Sequence, residues 1–380
     1  MFYITMESFE IISKKDEPIL RIKITNTDLA IVNSLRRIIL SEVPTVGFYS
    51  DPQEPAVKTR INVKINTGLL HNEFIAHRIS LVPLHFDENE VETYDPNNYT
   101  FRLKIKNDTT DEIAVTTEHL VIYDKDGKKV ESAFQKRILP PILLGNPKSE
   151  YYVLLTKLKP NLYDTTKGEE LDIECTAQRG TGAEHARWSP VSLCTFYNSI
   201  DEVEAKNELD KLISKDKDNA ESIKRRFDTL QKQRYYKKNQ YGEPSEFIFS
   251  IESECGLPNS YIFLKALQIL SKKVSNFIVS LDTTECFSIG DSFYQLVIHN
   301  ENYTLLNLLH SFIYNTNIRE TAEGGLTYIG TYQPHPLDSK MFLKVKFNKD
   351  KDERAIKLFL AKNCEKLKMK LEELTAKWVM

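Results

Sequence analysis

At 380 residues the chain is too long for one small core, and at roughly 150 residues per domain it suggests two or three domains. Lys and Arg number 51 against 54 Asp and Glu, and a net charge of -3 argues against a protein that clamps duplex phosphates across its whole face. Five scattered cysteines (Cys175, Cys194, Cys255, Cys286, Cys364) without a CxxC pair argue against a disulfide framework and a sulfur-ligated zinc, so a reducing, intracellular setting is expected.

The opening segment contains Glu7 and no basic n-region, and no later stretch approaches the roughly 20 apolar residues of a membrane span. Residues 19–25 (ILRIKIT) alternate Leu20, Ile22 and Ile24 with Arg21 and Lys23, which predicts a strand with one buried face. Asn26 or Asp28 then caps a helix on Leu29, Val32, Leu35, Arg36 and Ile39 that stops before Pro44. Pro44, Pro52 and Pro55 break the chain between 44 and 57 and mark an exit into a second domain. There Leu70, Phe74, Ile75 and Ile79 predict one face of a short helix ending before Pro83, and residues 85–150 read as turn-rich, mostly β structure.

At 171–178 Leu171, Ile173, Cys175 and Ala177 alternate in a half-buried strand before a turn at Gly180 and Gly182, where the chain is expected to re-enter the first domain. Residues 201–244, dominated by Lys, Glu, Asp, Asn and Arg, read as a solvated helix or a mobile insertion. Phe263, Ala266, Leu267, Leu270, Val274, Phe277, Ile278 and Leu281 then stripe a long helix opened by Asn259. Residues 293–298 alternate as a strand, 304–315 predict a helix capped by Thr304, and 341–347 alternate again. The last helix spaces Ile356, Leu360, Cys364, Leu367, Leu371, Leu374 and Trp378 close to a heptad seam.

Ile24-Thr25-Asn26-Thr27-Asp28 aligns with Ile298-His299-Asn300-Glu301-Asn302 at an offset of 298 - 24 = 274. The same offset pairs Ile31 with Leu305, Asn33 with Asn307, Leu35 with Leu309 and Ile39 with Ile313. Each copy is too small to bury its own apolar helix face, and packing about an approximate two-fold axis would solve that for both. Against this, strand-to-helix turns look alike over short patterns.

NSLRRIILSEVPT at 33–45, NEFIAHRISLVPL at 72–84 and AQRGTGAEHARWSP at 177–190 together resemble the alpha-type subunit of eukaryotic and archaeal RNA polymerases, the archaeal D subunit and its eukaryotic third-largest counterpart. The run Asn302 to Leu309, then Tyr328-Ile329-Gly330 and Pro334-His335-Pro336-Leu337-Asp338, resembles the smaller partner, archaeal subunit L. The resemblance covers most of 1–200 and 245–380, with both partners in one chain, an arrangement similar to polymerases of large DNA viruses. It implies an α+β fold in which the alpha dimerisation fold forms an intrachain pseudo-dimer: 1–45 and 172–280 as the D-like half, 46–171 as an inserted β-rich domain, 201–244 as a charged insertion and 281–380 as the L-like half. Some relatives carry a four-cysteine zinc site or an iron-sulfur insertion in the first half; residues 51–170 hold no cysteine, so no metal or cofactor is expected. Asn302 and Leu306 stand where the family usually has Asp and Gly, and 201–244 has no family counterpart, which leaves local contacts open.

Several groups look chemical. His71-Asn72-Glu73 imitates the H-x-E of zinc deaminases, and Glu73 and His77 lie at i, i+4, but the completing PCxxC is absent. The other reading is a helix whose Glu73, His77 and Arg78 face a partner, by the resemblance the second-largest polymerase subunit; plain solvated charge gives the same pattern. Glu184 to Pro190 offers an acid, a base and a hydroxyl with no second nucleophile or oxyanion motif. Trp and Arg are the types that anchor interfaces, so Arg179, His185, Arg187 and Trp188 are docking candidates. Arg36 and Arg37 lie on the helix that the resemblance places near the large subunits, and suit bidentate contact. Pro334-His335-Pro336 reads as a rigid turn.

The apolar stripes read as core seams in which core and dimer interface coincide, at Leu35, Ile39, Leu267, Leu270, Val274, Leu305, Leu309, Phe312, Leu367, Leu371 and Leu374. The basic run from Lys224-Arg225-Arg226 to Lys237-Lys238 interleaves aromatics as nucleic-acid surfaces can, and a solvated face gives the same run.

These features predict a non-catalytic assembly platform of a DNA-directed RNA polymerase that docks the two largest, catalytic subunits and a small assembly subunit, meets DNA and RNA only indirectly, and touches no membrane. No Asp-rich metal-binding motif for phosphoryl transfer is present. The expected location is the host cytoplasm and its viral factory, with the virion as a further place and the nucleus as the alternative. The rival readings are a zinc hydrolase or deaminase using His71, Glu73 and His77, and a free-standing nucleic-acid binder using 224–238.

Overall fold

The computed structural model describes residues 8–13, 17–50, 60–144, 149–320 and 325–379; Glu7, Pro52 and Pro55 lie outside them. In chain order, β1 (Ser8–Ile11) and β2 (Ile19–Thr25) form a hairpin leading into α1 (Leu29–Ser41). Next come β3 (Pro44–Phe48), β4 (Ile61–Asn66), α2 (Asn72–Ser80), α3 (Glu88–Glu92), β5 (Tyr99–Lys106), β6 (Ile113–Thr116), β7 (Leu120–Asp124) and α4 (Ser132–Ile138). They are followed by β8 (Ile142–Leu144), β9 (Ser149–Tyr151), β10 (Leu154–Leu158), β11 (Glu170–Cys175), β12 (Ala177–Thr181) and β13 (Val191–Asn198). Then come α5 (Glu202–Lys215), α6 (Ala220–Arg226), β14 (Glu246–Ser253) and α7 (Asn259–Ser280). The chain ends with β15 (Cys286–Gly290), β16 (Phe293–His299), α8 (Tyr303–Tyr314), β17 (Leu326–Tyr332), β18 (Lys340–Phe347) and α9 (Glu353–Val379).

Two compact units result: Met1–Ile39 with Leu193–Glu252 and Ile262–Met380, and Leu40–Ser192 with Ser253–Tyr261. The first unit uses one motif twice. Its sheets have the orders β1-β2-β14-β13 and β15-β16-β18-β17, so each strand of one has a counterpart in the other. β16 starts 293 - 19 = 274 residues after β2, and α8 starts 303 - 29 = 274 after α1. β18 and α9 follow β14 and α7 by 340 - 246 = 94 and 353 - 259 = 94. The offset shrinks because the first copy alone carries the second unit between α1 and β13, and α5 and α6 between β13 and β14. The repeat reaches the backbone torsions: Asn26 and Asn300 both turn left-handed, at φ 55° and 56°, a conformation Asn tolerates better than most residues. A chance likeness between strand-to-helix turns would not require that.

The expected α+β architecture is present, and its cores follow the sequence periodicity. Ile22 and Ile24 are buried in β2, Val32, Leu35 and Ile39 in α1, and Ile356, Leu360, Cys364, Leu367, Leu371 and Leu374 in α9. Differences have local causes. Pro44 opens a strand as the chain enters the second unit: it is the first residue of β3, where its missing N–H is tolerated, and all five residues of that strand are buried. Leu171–Cys175 pairs with β4 and β5 inside the second unit, and the chain returns to the first unit only in β13. Gly180 lies within β12, opposite Thr45, and not in a turn. In α2 the buried face is Ile75, Ala76 and Ile79, while Phe74 is 62% exposed. Asn302, whose side chain accepts from the Thr304 N–H, caps α8 in place of Thr304.

Candidate assembly interface

Within the first unit the two copies meet through the starts of α1 and α8. Asp28 Oδ1 accepts from Ala30 N at 2.8 Å and Asn302 Oδ1 from Thr304 N at 2.8 Å, the same cap 274 residues apart. Each cap region is reached by the opposite helix. Ser311 and Asn315 donate to Asp28 Oδ2 at 2.5 and 2.9 Å. Arg37, 274 residues before Ser311, donates from Nε to Thr304 Oγ1 at 2.7 Å, and Ser34 donates to the Thr304 carbonyl at 3.1 Å. The polar groups are thus reciprocal about the two helices, as an approximate two-fold axis demands.

Of the predicted seam residues, Leu35, Ile39, Leu267, Leu270, Val274, Leu305, Leu309, Leu367, Leu371 and Leu374 are buried. Phe312 is half-buried and lines a 210 Å³ cavity with Asp28, Asn315 and Arg319. The end of α9 also crosses to the first copy, where Trp378 packs on Phe263 at 4.6 Å and on Phe9 at 5.7 Å. Arg36 turns back on its own helix, donating from Nε and Nη2 to Asn33 Oδ1.

In the second unit Glu73, His77 and Arg78 are exposed on one side of α2, and Arg78 Nη2 donates to the Leu154 carbonyl at 2.6 Å. Arg179 pairs with Glu92 at 3.1 Å, and Glu92 also accepts from the Tyr261 hydroxyl, whose pKa burial and then this bond push up. Arg187, His185 and Trp188 come together over β3 and β12. Arg187 Nε donates to His185 Nδ1 at 3.1 Å, its guanidinium stands 4.9 Å over the Tyr49 ring, and Tyr49 stacks on Trp188 at 5.2 Å. Trp188 is only 4% exposed, seated where a Cβ on Gly180 or Gly47 would press on its ring, while the Trp188 carbonyl accepts from Thr45 Oγ1 at 2.9 Å. The indole therefore supports this corner from inside, and Arg187 and His185 form its accessible part. Among the described residues no group of three or more His, Cys, Asp or Glu is placed to hold a metal, and no helix is long and apolar enough to cross a membrane.

The profile of the RNA polymerase Rpb3/Rpb11 dimerisation domain matches residues 21–274, more than half of the chain. This chain belongs to that family. Subunit 3 of DNA-directed RNA polymerases II, IV and V from Arabidopsis thaliana is 25% identical over 320 residues, spanning 73% of this chain and 92% of the relative. Subunit RPB3 of RNA polymerase II from Schizosaccharomyces pombe is 26% identical over 275 residues, with 68% and 82% covered. Subunit RPAC1 of human RNA polymerases I and III is 25% identical over 310 residues, with 71% and 83% covered.

One contact in this Rpb3/Rpb11-type chain escaped the sequence reading. The 201–244 segment ends in a turn whose Glu243 takes a two-pronged bond from Arg319 just beyond α8, at 2.7 Å on each oxygen. The guanidinium is held between the Tyr241 and Tyr314 rings, at 4.8 and 5.0 Å. The insertion is therefore tied by its tip to the second copy. Its partners are 76 residues apart, a separation at which no periodicity can pair them.

Proposed function

We propose that this chain is the assembly platform of a DNA-directed RNA polymerase, with the Rpb3-like and Rpb11-like partners joined in one polypeptide. The observation that carries this is the second complete β-β-α-β-β-α copy, which lies beyond the family match and offers α1 the kind of partner that a dimerisation domain needs. In this reading the chain performs no chemistry and the two largest subunits supply the nucleotidyl transfer. They dock on α2 through Glu73, His77 and Arg78, on the corner of Arg179, His185 and Arg187 propped by Trp188, and at Arg36, with Arg37 serving the intrachain seam. A small assembly subunit completes the platform, and no metal or cofactor is needed.

The single-chain arrangement favours a large DNA virus as the source and the host cytoplasm as the place of work, with the nucleus as the alternative. Affinity purification of the tagged chain from its native source should recover two very large polymerase subunits in stoichiometric amount. Arg187→Ala combined with Arg78→Ala should reduce that recovery by at least about tenfold, two interface anchors of about 1–2 kcal/mol each being lost. A chain recovered alone and loaded with zinc would overturn the platform and favour the His71, Glu73, His77 reading.

A further inference from the structure

No role so far attaches to the outer face of the second copy's sheet. Residues opposed in an antiparallel ladder share a face. Leu296, Leu343, Val345 and Ile329 are buried on one side, where α8 packs against β17 and Phe359 of α9 against Phe347. The register puts Phe293, Lys346 and Tyr328 in one row of the other side, and Phe287, Gln295 and Lys344 in the next. Phe342 and Tyr332 are opposed in a third row.

The rings lie along the sheet. Tyr328 crosses over Gly330, in the space a Cβ would fill, and stacks on Phe293 at 5.5 Å. Tyr332 stacks on Phe342 at 5.1 Å and 20°, and its hydroxyl donates across β18 to Gln295 Oε1 at 3.1 Å. Lys344 Nζ stands 4.5 Å from the Tyr332 centroid. Phe287 is 51% and Tyr328 46% exposed. The four strands contain no Asp or Glu, whereas their counterparts in the first copy carry Glu10, Glu246 and Glu252. Among the described residues Lys340, Lys344 and Lys346 form no salt bridge, while Lys23 of the first copy pairs with both Glu10 and Glu246. Asp291, Asp338 and Asp350 sit in the connecting turns, and Asp350 accepts from Ser292. A net charge of -3 over the whole chain conceals this locally basic face.

We propose that this face binds single-stranded RNA, with unpaired bases stacking on Tyr328, Tyr332, Phe342 and Phe287 while Lys340, Lys344 and Lys346 meet phosphates. Flat ring faces beside ammonium groups suit a strand whose bases are splayed out; a duplex hides those base faces, and an acidic peptide has no use for them. The face stands on its own geometry; only the choice of RNA over DNA rests on the polymerase reading, in which RNA is the strand released.

The full-length chain should bind a labelled oligouridylate of about 15 nucleotides, followed by fluorescence polarisation, since such a length spans one sheet-sized platform. Log affinity should fall with log salt at a slope of about -2, three phosphates at about 0.7 each. Tyr328→Ala with Phe342→Ala should weaken binding at least about tenfold. Lys344→Glu with Lys346→Glu, at side chains outside the buried core, should remove most of the salt slope even if the aromatic variant unfolds, and Lys224→Glu with Arg225→Glu should change neither. Absence of saturable binding, equal binding by the lysine variant, equal affinity for duplex RNA, or tighter binding of oligothymidylate would each overturn the proposal. So would loss of co-purifying polymerase subunits from the lysine variant with RNA binding intact, which would make this face a protein interface. Because the assay contains no other subunit, its failure leaves polymerase membership standing, and a failure of co-purification leaves the binding result standing.

Discussion

At Trp188 the indole fills the room left by Gly47 and Gly180, so Trp188→Ala should destabilise the second unit by about 3–5 kcal/mol in urea unfolding, the usual range for a buried Trp cut to Ala. Trp188→Phe should cost clearly less, because Trp188 Nε1 is buried without a hydrogen-bond partner among the described residues and its removal leaves no new orphan. Gly180→Ala should cost about 1–3 kcal/mol by forcing the ring aside. Equal losses for Phe and Ala at 188 would show that the ring's volume is not what matters. The sequence marks these residues as special but not as internal: an aromatic that fills its own chain's core and one that awaits a partner have the same composition around them. Arg187 is part of the same stack, its guanidinium lying over Tyr49 and bonded to the His185 ring. Burial likewise pushes the Cys194 and Cys364 thiols up to about 12, so both should resist alkylation at neutral pH in the folded chain, and rapid labelling of Cys364 would contradict its place in the α9 seam.

Among elements, α1 and α8 carry the most readable signal, because a strand, a left-handed Asn, a cap and an apolar helix recur at one offset and local chemistry alone writes all four. Their contacts are less readable. Asp28 caps α1 and also receives Ser311 and Asn315, whereas Asn302 has only its cap bond among those described, so Asp28→Ala should cost about 2–3 kcal/mol of thermal stability and Asn302→Ala about 1. Equal losses would mean that the bonds across the seam contribute nothing. β3 was hidden for a different reason: a strand buried on both faces has no alternation, and Pro44 reads as a breaker. The insertion's anchor is also long-range. Arg319 holds the Glu243 carboxyl below its ordinary range, so this pairing stabilises the chain above the ordinary Glu pKa and is lost as pH falls through the lowered value. Protection of the 239–243 amides, taken as the factor over their intrinsic exchange rates, should therefore be high near neutrality and be lost only as pH falls below the ordinary Glu range. Exchange that is fast at pH 7, or that Arg319→Lys leaves unchanged, would dissolve the anchor.

For the molecule as a whole, the first unit exists because two copies of one motif bury each other's helices. A carboxylate placed at Leu35 or at Leu309, both within 1% of full burial, should cost several kcal/mol and so consume most of a typical margin of about 5–15 kcal/mol, unfolding the unit from either copy. A folded, cooperative Leu309→Asp chain would break the shared-core account. The sequence makes this pseudo-dimer legible through its period, while the extent of the second unit stays hidden until pairing shows that β11 and β12 belong with β4, β5 and β3. The basic aromatic sheet face escaped for a related reason, since alternating aromatics in a strand read as core on either side. Native mass spectrometry of the polymerase purified through this chain tests the central claim most directly. One copy of this chain with the two largest subunits and no separate Rpb11-like subunit is the expected composition; a separate Rpb11-like chain in the complex, or two copies of this one, would contradict the single-chain platform.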